Sequence, residues 1–333
     1  MPVEEQLTQK QIRFWSIAYF VIIFTLIGGF VLATSQITYS WRWSVVPSYF
    51  VAHETILIQS ELEGTVSAIE TEGTTTRIVV KGDDGTSESY EIPEGEILVS
   101  ETDMIFPGDT LGNYKEWRPG LLMLGMMMTI KVSLYAIVIG ILVGIWGGIA
   151  RISANPAARW LAYTYVELIR GTPLLVQIFI WYYIGSTLVN QLVRQYAGFE
   201  IPALWYGVIA LAIFTGAYVT EIVRSGIQSI NLGQTEAARS LGMTHFQSLR
   251  YIIMPQAMRR ILPPLAGQFI SLIKDSSLLG IIAVRELTKA TREAVTTSFA
   301  SFELFFTCAA LYLIITFTLS LFVQYLERRM GTT

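Results

Sequence analysis

The sequence predicts an all-α polytopic membrane protein of six transmembrane helices that carries a small extracytoplasmic β insert. The first observation is compositional: 52% of the 333 residues are hydrophobic, 15% are charged, and mean hydropathy is +0.49. Soluble domains carry about 25% charged residues, so one water-soluble core is excluded. The second is a set of six apolar runs, each long enough for the about 20 residues that cover about 30 Å of hydrocarbon. The third is a contrast. Residues 35–118 hold 15 of the 26 acidic residues against five basic ones, in short β-branched runs that look nothing like a span.

The first span, 14–33, follows a short tail. Val31-Leu32-Ala33 resembles a signal-cleavage site, but the run exceeds the about 7–15 residues of a signal core, so 1–34 reads as a cytoplasmic tail and an uncleaved anchor. Residues 35–118 then form the insert. "GTVSAIETEGTTTRIVVKGDDGTSESYEIP" alternates short strands with turn residues, and "DDG" is a hairpin signal, so a β domain is expected at about 60–112. Its "GD-x-L" turn is weakly similar to barrel-sandwich modules. His53 has no histidine neighbour in sequence before His245, and no metal signature is present. From 119 to 333 the chain reads as a five-helix core, with spans at 132–150, 171–189, 203–220, 256–284 and 304–326. Cys308, the one cysteine, sits inside the last of these as a small packing residue.

Basic residues orient the spans. Lys10 and Arg13 precede the first, Arg151 and Arg159 follow the second, Arg239, Arg250, Arg259 and Arg260 lie between the fourth and fifth, and Arg328 and Arg329 follow the last. All fall on one side, the cytoplasmic one, with both termini. The acidic insert falls outside.

Ionisable and polar groups at membrane depth are candidates for function. Lys131 opens an apolar run where its ammonium can snorkel outward. Glu167, Arg170, Leu174, Gln177 and Trp181 share one face if the third pass is a single helix, although Pro173 signals a kink or a fresh start. Tyr218, Glu221 and Ser225 share a face of the fourth pass, with Arg224 beside them; either an internal ion pair or a solute path fits Glu221. Gln268, Ser271 and Asp275 form a stripe that runs into "KDSS" at 274–277. Lys274 and Asp275 are adjacent and cannot face one way on a regular helix. A break there fits a small zwitterionic solute held by Lys274, Asp275 and Ser276; a purely structural, salt-bridged break is the competing explanation. Gly140, Gly144 and Gly148 give the second pass a close-packing face.

The stretch "TEAARSLGMTHFQSLRYIIMP", 235–255, interrupts two spans within a cytoplasmic segment at 229–256. "QTEAARSL" reads as a short helix ended by Gly242, Thr244 and Gln247 as a capping box that opens a second, and Pro255 as the first turn of the next span. Ala237 and Ala238 leave a smooth face, and Leu241 and Phe246 are apolar anchors for a groove. No G-x-x-x-x-G-K-[ST] phosphate loop occurs, so ATP is not bound in that manner here.

"EAARSLGMTHFQSLRYIIMP" resembles the E-A-A-(x)3-G-(x)9-I-x-L-P signature of permease subunits of bacterial ABC importers. Glu236, Ala237, Ala238, Gly242, Ile252 and Pro255 are in register, with Met254 in place of the usual leucine. "ELIRGTPLLVQIFIWYY", "TGAYVTEIVRSGI" and "QFISLIKDSSLLGIIAVREL" resemble the polar amino-acid branch of that family, over roughly 120–328; residues 1–118 depart from it. The resemblance implies two permease subunits, identical or homologous, in the cytoplasmic (inner) membrane. It implies a cytoplasmic ABC ATPase dimer that carries ATP and Mg, so that this chain has no cofactor and no catalytic residue of its own. It also implies an extracytoplasmic amino-acid-binding protein, lipid as the surrounding partner, and alternating access as the mechanism. Glu236, Ala237, Ala238, Gly242 and Phe246 become the ATPase-coupling residues. Gln177, Tyr218, Glu221, Gln268, Ser271, Lys274, Asp275 and Ser276 become the pathway. A secondary transporter or channel would predict an inverted repeat, which is not seen. A sensor or assembly factor whose β domain does the work would not predict polar stripes.

Overall fold

The structure, a computed structural model, describes residues 9–36, 39–83 and 85–329. Residues 1–8 of the expected cytoplasmic tail, and Asp84 of the "DDG" turn, lie outside the described residues. The chain divides into two compact units, Met1–Trp43 and Ser44–Thr333. In the first, α1 (Gln9–Ser35) is a continuous apolar helix in which Arg13–Ser35 is long enough to cross a membrane.

A 3₁₀ turn at Trp43–Tyr49 spans the boundary, and a β module follows it in the second unit. Strands β1 (Val51–Gln59), β2 (Gly64–Glu72), β3 (Thr75–Gly82), β4 (Ser87–Pro93), β5 (Gly95–Ile97), β6 (Met104–Ile105) and β7 (Thr110–Pro119) form two sheets, ordered β1-β7-β5 and β4-β3-β2-β6. The strands alternate apolar and polar, so Val66, Ile78, Val80, Ile92, Ile105 and Leu111 meet in a core of their own. Gly108, at φ +97°, makes the "GD-x-L" turn, and Asp109 Oδ2 accepts from the Phe106 N–H at 2.8 Å. The module spans Val51–Pro119, wider than expected, because β1 and β7 pair from Val51↔Pro119 to Gln59↔Thr110. This ribbon runs directly into the helical core.

In the core, α2 (Leu121–Arg151) and α6 (Ala203–Gln228) run parallel. Their register is legible in the glycines: Gly140 lies against Ala212 and Thr215, Gly144 against Val219 and Gly216, and Gly148 against Val223. A Cβ at Gly148 would stand 2.5 Å from Val223 Cγ1. Lipid offers apolar side chains no less favourable surroundings than a neighbouring helix does, so close packing of small residues holds such a seam. At its end the Arg151 guanidinium reaches Glu221 Oε1 at 3.0 Å, and Arg224 reaches Oε2 at 2.8 Å.

Between them come α3 (Pro156–Arg170) and α4 (Leu174–Phe179), a π-helical turn at Ile180–Gly185, and α5 (Ser186–Ala197). Pro156–Arg170 and Leu174–Ala197 are bent by 104° at 171–173. The expected single face from Glu167 to Trp181 therefore does not form: Glu167 and Arg170 lie on one helix, Leu174, Gln177 and Trp181 beyond the bend. Gln177 holds the corner, its Nε2 donating to the carbonyls of Ile169 at 2.7 Å and Thr172 at 3.1 Å.

After α6 come α7 (Leu232–Ser240), α8 (His245–Ser248), a π-helical turn at Leu249–Ile253, α9 (Met254–Asp275) and a 3₁₀ turn at Ser276–Ile282. α9 runs antiparallel to α6, with Gly226 on Ile261 and Gly207 on Leu279 and Ile282. α10 (Leu287–Ser298) crosses the start of α2, and α11 (Ser301–Arg329) closes the chain. The main core gathers Val132, Ala136, Ile178, Leu211, Leu272 and Leu279 from α2, α4, α6, α9 and the 3₁₀ turn. Among the described residues, five stretches are long and apolar enough to cross a membrane, and a sixth if the bent pair is one span.

Candidate functional site

The segment between α6 and α9 is built by local rules. The Asn231 side chain accepts from the Gly233 N–H at 2.8 Å and starts α7. Gly242, at φ +78°, sits in the left-handed region just past its end, where Leu241 N–H donates to Ala237 O and Met243 N–H to Ala238 O. The Thr244 N–H donates to Gln247 Oε1 at 2.8 Å and the Gln247 N–H to Thr244 Oγ1 at 3.2 Å, a complete capping box. Pro255 falls in the first turn of α9, as expected, and α9 follows the π-helical turn without a gap.

Glu236, Ala237, Gly242 and Phe246 are exposed. Leu241 is 82% and Phe246 67% exposed, large for apolar side chains on a well-formed element. Ala238 corrects the expected smooth face: at 3% exposure it faces the chain itself, and Ala237 alone of the pair faces out. A residue one position along a helix is turned by about 100°, and here that turn puts Ala238 against the chain while Ala237 faces out.

The polar groups at membrane depth separate into two sets. Gln268, Ser271 and Asp275 are half-buried along α9, Lys274 beside them is exposed, and no ion pair joins Lys274 to Asp275. The expected break at "KDSS" is a change of helix type: the α-helix runs through Asp275 and tightens to 3₁₀ from Ser276, ending at Ala283 with φ +65°. Ser276 is buried, its hydroxyl donating to Ile273 O at 2.8 Å on its own helix. Gln177 Nε2 is spent on the bend, while its Oε1 is buried without a hydrogen-bond partner. Glu221 is held by Arg151 and Arg224, and the α6–α9 register sets it level with residue 266, roughly 13 Å along the helix axis from Asp275. Tyr218 lies level with Phe269 and faces Arg170, whose guanidinium stacks over its ring at 5.2 Å. Of the groups named from the sequence, Glu221 and the Ser276 hydroxyl are thus partnered within the protein, and Gln177 through its Nε2 alone.

Residues 136–332 match the family model described as the binding-protein-dependent transport system inner membrane component. The chain belongs to this family. The glutamine transport system permease protein GlnP of Escherichia coli K12 is 38% identical over 210 residues, 63% of this chain and 93% of that protein. The probable glutamine ABC transporter permease protein GlnM of Bacillus subtilis 168 is 36% identical over 206 residues, 62% and 91%. Among solved structures, an amino acid ABC transporter crystallised with histidines matches at 40% identity and a TM-score of 0.56, over 63% of this chain and 94% of that one. The chain is thus a multi-pass inner-membrane permease, a transport subunit and not an enzyme, with ATP hydrolysis on a separate subunit.

One residue of the permease escaped the sequence analysis. Glu286 is fully buried and starts α10, its carboxylate accepting from the Thr288 and Lys289 N–H groups at 2.7 Å and from the Tyr312 hydroxyl at 3.0 Å. Burial pushes its carboxyl above the usual range, against the pull of these donors. Glutamate is an uncommon helix N-cap, so the standard Ser, Thr, Asp or Asn signal was missing. The sequence marks Arg151 only as an orienting charge, because its partner Glu221 is 70 positions away.

Proposed function

We propose that this permease is one of two membrane subunits of an ATP-driven importer for a polar amino acid. It crosses the inner membrane six times, with both termini cytoplasmic. The parallel course of α2 and α6 supports this topology, because the chain between them must then return across the membrane once, through the bent pair 156–197. The observation that carries the functional reading is the α7–α8 segment: self-capped, turned by Gly242, and leaving Leu241 and Phe246 uncovered at the end where the orienting arginines cluster. Such an element fits a groove on a cytoplasmic ABC ATPase, one of a dimer that holds ATP and Mg, with no cofactor on this chain.

An extracytoplasmic binding protein delivers the amino acid, and alternating access of the two permease subunits moves it inward. Glu236, Ala237, Gly242 and Phe246 carry the coupling, with Ala238 supporting the helix from behind. Tyr218, Gln268, Ser271, Lys274 and Asp275 line the path, the separated ammonium and carboxylate suiting a zwitterion. The amino-acid relatives support the substrate class. The β module stands outside the membrane beside the mouth of the path and orients the binding protein.

Reconstituted transporter tests this reading. Asp275→Asn should lower amino-acid uptake into vesicles while the ATPase still co-purifies; unchanged affinity and selectivity would remove Asp275 from the path. A cysteine at the exposed Ser89 should react with an impermeant reagent from outside intact cells, since Cys308 is buried and silent. Labelling only after the cytoplasmic face is opened would overturn the topology.

A further inference from the structure

Two recesses adjoin at one end of α2 and α3. The first is a cavity of about 410 Å³ between α2, α3 and the α7–α8 segment, lined by Arg151, Arg159, Gln228, Thr235, His245 and Ser248, among others. Arg151 spends its charge partly on Glu221, which Arg224 also neutralises, leaving that triad with one net positive charge. Arg159 makes no ion pair with any described residue and adds a second. Ser248 is 1% exposed, and its hydroxyl lacks a hydrogen-bond partner. A buried unpaired hydroxyl costs free energy that a bound acceptor would recover.

The second recess, also about 410 Å³, is an apolar groove between the same two helices, formed by Val143, Trp146, Ala150, Ala158, Leu161 and Tyr165, among others. The recesses are lined by consecutive residues on both helices: Ala150 of the groove precedes Arg151 of the cavity, and Ala158 precedes Arg159. Trp146 and Leu161 are over 70% exposed beside it, and the Arg151 guanidinium stacks over Tyr163 at 4.8 Å. A cationic cavity at the end of a span, with an apolar groove lined by the neighbouring residues of the same two helices, has the division of a phospholipid.

We infer that the cytoplasmic end of α2 and α3 holds one anionic phospholipid, its phosphate in the arginine cavity and an acyl chain in the groove. The inference rests on the cytoplasmic placement of this end and is independent of which solute is carried. Neutral lipid would leave the two positive charges unmatched. A free anion would leave the groove empty.

The test uses the purified full chain in mild detergent, titrated with phosphatidylglycerol and with phosphatidylcholine of the same acyl chains, retained lipid being read by native mass spectrometry. Phosphatidylglycerol should be retained at least tenfold better, and millimolar glycerol phosphate should not displace it. Arg159→Gln should weaken retention about fivefold, the contribution of one arginine near an anionic surface, and Arg159→Lys should largely restore it. Ala158→Trp, which fills the groove, should abolish retention without altering oligomeric state. Equal retention of the two lipids, or wild-type retention by Arg159→Gln, would overturn the proposal. Displacement by glycerol phosphate would make this a soluble-anion site and overturn it. So would Ala158→Trp changing the oligomeric state in place of the lipid, which would assign the groove to a second copy of the chain.

Discussion

The two ends of the helical core are finished in opposite ways. At the end that carries the β module, the outer one in the proposed topology, the chain covers itself. The Tyr49 hydroxyl meets Thr297 Oγ1 at 2.9 Å, Gly120 N–H donates to Phe50 O at 2.8 Å, Gly125 presses on Ala290, and Glu286 ties α10 to α11 through Tyr312. The β module thus stands on a packed base. At the other end, α7 and α8 satisfy their own backbones yet leave Leu241 and Phe246 uncovered. The glycines mark the difference. A Cβ at Gly125 would stand 2.6 Å from the Ala290 Cβ, whereas a Cβ at Gly242 would meet nothing within 4 Å and is opposed only by φ +78°. One glycine is needed for space and the other for backbone conformation. Damage at the outer end should therefore be read in folding, and damage at the inner end in partnership.

Four experiments would sharpen or break that contrast. Gly125→Leu should have the largest effect on stability. It must push α10 off α2, an overpacking cost of about 1–3 kcal/mol or more, seen as lost monodisperse protein and a lower melting temperature in detergent; a wild-type melt would mean the outer end is loosely held.

Glu286→Ala should come next, costing about 1–2 kcal/mol for the lost cap. Glu286→Gln adds a pH signature. A carboxyl whose folded pKa is raised confers stability that is greatest at low pH and is lost as pH rises through the folded pKa. The wild type should therefore gain on Glu286→Gln as pH falls from 7 toward 5, and parallel pH profiles would sink this account.

Gly242→Val should cost about 1–2 kcal/mol locally, from left-handed backbone on a β-branched residue, without lowering the melt of the core. Its loss should appear instead as about tenfold weaker co-purification of the ATPase and reduced vesicle uptake. Leu241→Ser should be smallest for stability, within about 0.5 kcal/mol of wild type as exposed substitutions usually are, while still weakening ATPase association more than Glu236→Ala does. Wild-type ATPase binding by both Gly242→Val and Leu241→Ser would show that the inner end is finished as well, and that the two ends do not differ.

Much of this molecule follows from the sequence alone, wherever the physics is local. The Thr244–Gln247 capping box and the glycine past the end of α7 were legible because helix ends must satisfy their orphaned N–H and C=O groups within a few residues. The glycines at 140, 144 and 148 announced a close helix neighbour, because their spacing puts them on one face. The alternation of the β module announced strands for the same kind of reason. Tertiary structure decided what those local rules leave open. That α6 is the neighbour of α2, and runs parallel to it, depends on Val219 and Val223 fitting against Gly144 and Gly148. That Ala238 turns inward while Ala237 turns out depends on how α7 sits on the chain. The 104° bend was announced only as a possible kink at Pro173, and its closure rests on Gln177 reaching back to Ile169 and Thr172. Glu221 could have faced a solute until Arg151, brought from 70 positions away, claimed it. A charge within a membrane takes whichever partner the packing delivers, and sequence spacing does not record that delivery.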